Sequence, residues 1–269
     1  MFECLKISLW IWLLALVLFV ARSGWCENAQ LHENIVSSPQ THLNTTLNTN
    51  VTTPDISATN RTQNKPFPIA DSETAMKLIR LGSIHLKQNR IDEACNEVGD
   101  AIKIYRQLVT NSTSVYLDNE ASALNSLGQL HLYKYRYAEA FHSYSEALKI
   151  YRQLAANNPK EYWPHVSANL NTLGVLYSDQ NKWEDATRML EEALSFRRQM
   201  AVNNPDKYLP EVAMTLNNLG YLYCNETSPK KAIKAYQEAL DVYKTLDKNN
   251  LNLYRAHIKD LQDKLAGLR

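Results

Sequence analysis

The chain repeats itself every 46 residues, and that period limits its fold more than any other feature. Glycines stand at 82, 128, 174 and 220, each 46 apart. Alanines keep the same spacing at 94, 140, 186 and 232, and again at 101, 147, 193 and 239. Leu81, Leu127, Leu173 and Leu219 form a fourth column, and Tyr116, Tyr162, Tyr208 and Tyr254 a fifth. Self-similarity at a period of 20–50 residues marks stacked supersecondary units, none of which can bury its apolar face alone.

Each unit reads as two helices. In the third, Leu170, Leu173 and Leu176 with Tyr177 make a helical stripe, and Asp179–Lys182 then breaks it. Asn181, with Glu184 three residues on, has the form of a capping box for a second helix running to about Val202. Asn203, Asn204 and Pro205 end that helix. The fourth unit opens its second helix with Ser228 as cap and Pro229 at the first helical position. The column Asn111, Asn157, Asn203, Asn249 closes each second helix, where a left-handed cap is expected. A glycine column facing an alanine column lets the two helices approach closely. The leucine and tyrosine columns fill the space on either side.

These units carry a resemblance. LNSLGQLHLYKYRYAEAFHSYSEALKIY (Leu124–Tyr151), LNTLGVLYSDQNKWEDATRMLEEALSF (Leu170–Phe196) and LNNLGYLYCNETSPKKAIKAYQEALDVY (Leu216–Tyr243) resemble tetratricopeptide repeats. All four units keep the Gly and the alanines 12 and 19 residues after it. Tyr177 and Tyr223 match the family's aromatic position, which His85 and His131 occupy in the first two units. The family unit is about 34 residues, so 12 more are inserted here, after the second alanine. Extended repeats of this kind are similar to those of kinesin light chain. The resemblance implies an all-α, right-handed superhelical solenoid of antiparallel helix pairs, with four repeats. A capping helix closes it: Ile258, Leu261, Leu265 and Leu268 form a stripe on an otherwise polar segment.

Three regions follow: residues 1–26, residues 27–68 and the repeat domain, residues 69–269. Lys6 precedes fifteen uncharged residues, 7–21, and then Ala21, Ser23 and Gly24. This is the form of a signal peptide or signal anchor. As a helix it spans about 22 Å, short of the ~30 Å hydrocarbon core. The chain is therefore expected to be exported, whether periplasmic, secreted or at the cell surface. The alternative is a membrane tether through residues 7–21. Residues 27–68 are rich in Asn, Thr and Ser and show no period, so a disordered linker is expected. Sequons begin at Asn44, Asn50, Asn60, Asn111 and Asn225. Cys95 and Cys224 fall nearly three units apart, so free thiols are expected rather than a bridge.

A net charge of +1 gives no field for nucleic acid or an anionic membrane surface. No phosphate-cradling glycine loop, HExxH or CxxC occurs. No enzyme, cofactor or metal site is therefore expected. Function falls to binding a protein or peptide partner.

On a helical wheel of about 100° per residue, positions −3, +1 and +4 from each glycine share the face opposite the leucines. The family resemblance makes that face the concave groove. Asn125, Asn171 and Asn217 stand at −3 in three consecutive units, with Ile79 in the first. Beside them, +1 varies as Ser83, Gln129, Val175 and Tyr221, and +4 as Leu86, Leu132, Ser178 and Cys224. A constant amide beside varied neighbours suits a site that holds a ligand's main chain while the neighbours select side chains. The other possibilities at these positions are bonds to a neighbouring helix, or simple exposure. For the whole chain, the alternative is an assembly scaffold acting through its convex face or by self-association.

Overall fold

The computed structural model describes residues 71–111, 114–249 and 253–268. The leader and spacer expected over residues 1–68 lie outside them. The described residues form α1 (Ser72–Lys87), α2 (Ile91–Asn111), α3 (Leu117–Tyr133), α4 (Tyr137–Asn157), α5 (Pro159–Asp179), α6 (Trp183–Asn203), α7 (Pro205–Asn225), α8 (Pro229–Asn249) and α9 (Arg255–Gly267). A single 3₁₀ turn, Ser114–Tyr116, precedes α3. No strand occurs among the described residues. The fold is an all-α solenoid: each helix packs on the next, so every second helix also contacts the first helix of the following unit.

The period now has a mechanical meaning. In the third unit both helices are 21 residues long. A three-residue turn, Gln180–Lys182, joins them, and the single residue Asn204 leads into α7. These parts fill the 46 residues. The 12 additional residues lengthen both helices, since α5 and α7 begin well before their leucine stripes. Pro159 and Pro205 each open a first helix, where a missing N–H costs nothing. Pro205 thus starts α7 rather than merely ending α6.

The left-handed residues lie elsewhere than expected. Positive φ occurs at Asn89 (58°), Tyr135 (56°), Asn181 (57°) and Thr227 (55°), again 46 apart. Each ends a first helix. In each turn the following N–H reaches back to the carbonyl five residues earlier: Arg90 to His85 (2.9 Å), Arg136 to His131 (2.9 Å), Lys182 to Tyr177 (3.0 Å), Ser228 to Tyr223 (2.9 Å). These are Schellman closures. Asn181 therefore closes α5, and the cap of α6 is Lys182, without a side-chain bond. The expected capping box is not formed. Nor are Asn157 and Asn203 left-handed caps: they end their helices with ordinary φ. The extended residues after them, Asn158 and Asn204, lead into the next helix. Asn204 caps α7 by accepting from the Lys207 N–H at 3.3 Å.

Both alanine columns are wholly buried. At the glycines, the closest atoms belong to the residue four beyond the first alanine. A Cβ on Gly174 would stand 2.7 Å from Leu190 Cγ, and one on Gly128 2.9 Å from the Tyr144 ring. The alanine carbonyls are the next layer, 3.3 Å for Ala186. On the second helices, arginines reach one unit forward: Arg106 to Glu146 (2.9 Å), Arg152 to Glu192 (2.7 Å) and Arg198 to Glu238. Leu261 and Leu265 of α9 are buried against the last pair, as a capping helix requires.

Candidate groove

The residues at −3, +1 and +4 do share one face, carried by α3, α5 and α7, and they lie deeper than an open groove would hold them. Asn125, Asn217 and Tyr221 are half-buried. Gln129, Asn171, Val175 and Ser178 are buried. First helices of neighbouring units meet along this face, and that contact uses part of the asparagine column.

Asn171 Oδ1 accepts from Asn218 Nδ2 at 3.2 Å and from Arg197 Nη1 at 3.4 Å. Asn217 Oδ1 accepts from Lys264 Nζ at 3.1 Å. Both forward partners lie 47 residues on, one period plus one residue. The equivalent donor for Asn125 is Thr172, whose hydroxyl instead bonds the Ala168 carbonyl at 3.1 Å. Asn125 Oδ1 is buried without a partner, as is Ser178 Oγ.

The orientation of two of these amides is determined chemically. Arginine and ammonium groups only donate, so the oxygens of Asn171 and Asn217 must face Arg197 and Lys264. The Nδ2 groups of Asn125, Asn171 and Asn217 make no hydrogen bond and are not among the sequestered polar atoms. Along this face the column has its acceptors used or buried and its donors left over.

Arg197 is the residue that sequence reasoning missed. It is 2% exposed, and burial pulls its pKa below the ordinary guanidinium value. It donates to the Glu211 carbonyl at 3.0 Å and to Thr215 Oγ1, and its Nε faces Glu211 Oε2 at 3.3 Å. The available signal was a broken column: Tyr105, Tyr151 and Tyr243 occupy the same place in the other units. At those junctions an aromatic lies over the next first helix. Tyr151 stacks on His165 at 4.7 Å and Tyr243 on His257 at 4.9 Å. The tyrosine column noted above joins them, Tyr162 at 6.3 Å from Tyr151 and Tyr254 at 5.4 Å from Tyr243.

Among the described residues no group of His, Cys, Asp and Glu could hold a metal ion. No described helix is long and apolar enough to cross a membrane. Cys95 and Cys224 form no disulfide.

A tetratricopeptide-repeat family model matches residues 120–199, and a second of the same description matches residues 212–246. No curated protein matches the chain. Among solved structures, a Podosopora anserina protein assigned to the kinesin light chains, with nearly identical TPR-like repeats, is similar over 74% of this chain and 86% of its own. Its identity is 13% and its TM-score 0.54. A point-substituted form of the same protein covers 73% and 95%, with 12% identity and a TM-score of 0.50. BtubC (BKLC) from P. vanneervenii covers 74% and 86%, with 21% identity and a TM-score of 0.45. The P. anserina likenesses are of fold alone.

Proposed function

This chain is a tetratricopeptide-repeat protein, and from that premise we propose that it binds an extended segment of a partner polypeptide along the face of α3, α5 and α7. Repeats of this family generally mediate protein–protein interaction and are typically not catalytic. The observation that carries the finer reading is the donor column. Asn125, Asn171 and Asn217 keep free amide N–H groups one unit apart while their oxygens are committed or buried. Such a column meets acceptors, and an extended main chain supplies them as carbonyls at regular intervals. Tyr221 on α7, half-buried beside the column, chooses among side chains. In the same reading residues 1–26 deliver the array to the exported side of a membrane, where its partner is met.

The discriminating change is Asn to Asp at all three positions. Aspartate keeps an oxygen for Arg197 and Lys264 and removes the N–H donors. A random-peptide display library selected on the natural chain should yield binders that the triple Asp variant loses by more than about tenfold, a loss of about 1.4 kcal/mol. Equal binding by the folded variant would remove the amide column from the site. The scaffold alternative predicts no selected peptide, and a homo-oligomer in solution.

A further inference from the structure

The N-terminal end of the array leaves one helix face without a neighbour among the described elements. In units two to four each first helix lies between its own second helix and the second helix of the unit before, whereas α1 packs closely on α2 alone among the described elements. Two columns show what this leaves uncovered. One residue before the glycine, Leu173 and Leu219 are each 3% exposed and Leu127 is half-buried, but Leu81 is 38% exposed. Two residues after it, Leu130, Leu176 and Leu222 are between 0% and 3% exposed, but Ile84 is 48%. At the far end, the exposed positions of α9 include Lys259, Gln262 and Asp263, the polar surface that closes a solenoid.

The junctions also specify the missing neighbour's charge. A residue on each second helix meets the residue 14 further on, in the next first helix. Tyr105 faces Asn119, Tyr151 faces His165, Arg197 faces Glu211, and Tyr243 faces His257. Tyrosine goes with asparagine or histidine, and arginine goes with glutamate. In α1 this position is Glu73, exposed and paired with Lys77 of its own helix at 2.8 Å.

We propose that the outer face of α1 docks an amphipathic helix of another polypeptide, which stacks as the second helix of a preceding unit, lays apolar residues on Leu81 and Ile84, and sets an arginine against Glu73. Residues 27–68 do not suit the role, since Pro54, Pro66 and Pro68 interrupt them and they show no apolar period, and the uncharged stretch 7–21 has no arginine to set against Glu73. A second copy does not suit it either, because all four second helices are already covered by the first helix that follows them.

The chain contains a ready probe. A synthetic peptide with the sequence of α6, Trp183–Asn203, is a second helix that carries the arginine. We expect it to bind the full chain with one-to-one stoichiometry in calorimetry. Glu73→Arg should weaken it about tenfold, and an Arg197→Glu peptide should bind the Glu73→Arg chain better than the natural one. Leu81→Asp should weaken both. These side chains are exposed, so the variants fold, as circular dichroism would verify. Absence of binding at millimolar peptide, or binding indifferent to Glu73 and Leu81, overturns the proposal. A chain that dimerises and loses its dimer with Leu81→Asp also overturns it, by assigning the face to a second copy.

Discussion

Arg197 on α6 lies buried against Glu211 of α7, at the place where the flanking junctions stack Tyr151 on His165 and Tyr243 on His257. One solenoid thus contains two chemically different solutions to the same joint. The ionic one is demanding. Arg197 leaves water while Glu211 stays partly exposed, and Arg197 is held by Glu211, Thr215 and Asn171 together.

Breaking one side of that joint leaves a buried charge. Glu211→Ala, which leaves the buried Arg197 without its carboxylate, should cost about 3–5 kcal/mol, measured by urea unfolding. The pair Arg197→Tyr with Glu211→His imports the aromatic joint of the flanking units. It should come out between neutral and about 4 kcal/mol more stable, while each single change destabilises. A double variant no better than the sum of its singles would show that the two joints are not interchangeable.

The four left-handed turn residues predict a second effect. Asn89 and Asn181 tolerate that conformation, but Thr227 is β-branched and holds φ at 55°. Thr227→Asn should therefore raise stability by about 1 kcal/mol. Thermal unfolding of the variant checks it, and a lower melting point would mean that the threonine makes a compensating contact.

What was legible in the sequence, and what was not, follows from the range of each interaction. The columns Gly82–Gly220 and Ala94–Ala232 report contacts inside one unit, and these repeat, so the period, the helix pairing and the cap at Leu261 and Leu265 could all be read. The turn was misread because asparagine serves equally as cap and as left-handed residue, so Asn181 and Asn203 each suggested the wrong role. The face of Asn125, Asn171 and Asn217 was legible from helical geometry. The commitment of its oxygens was not, because the donors Asn218 and Lys264 sit 47 residues on and are set by how units stack.

Glycines in this fold should respond to alanine with opposite signs. At Gly220 a methyl would run into the ring of Tyr236, which is 2% exposed and has little room to move. Gly220→Ala should cost about 1–3 kcal/mol despite alanine's better helix propensity. Gly99 lies inside α2 with nothing within 4 Å of an added Cβ. Gly99→Ala should stabilise by about 0.5–1 kcal/mol. Denaturant midpoints moving the same way for both would refute the packing argument.

The last joint makes stability depend on pH. Desolvation of the ring face stacked on Tyr243, stronger than the opposing pull of Asp260, holds the His257 pKa below its ordinary 6.5, and burial lowers that of His131. A histidine with a depressed folded pKa binds fewer protons folded than unfolded, so stability rises with pH through that range. The contribution is complete above about 6.5 and is lost as pH falls from there through the folded value. Asp118 acts in the opposite sense in more acidic solution, because burial and then Glu161 raise its carboxyl pKa. Acidification from neutral should therefore loosen α9, and α3 around His131, before α5 and α6. His257→Phe keeps a ring against Tyr243 and cannot be protonated. It should flatten the pH dependence of amide exchange in α9 while leaving that of α5 and α6 unchanged. A variant that keeps the full acid sensitivity of α9 would place its origin in another group.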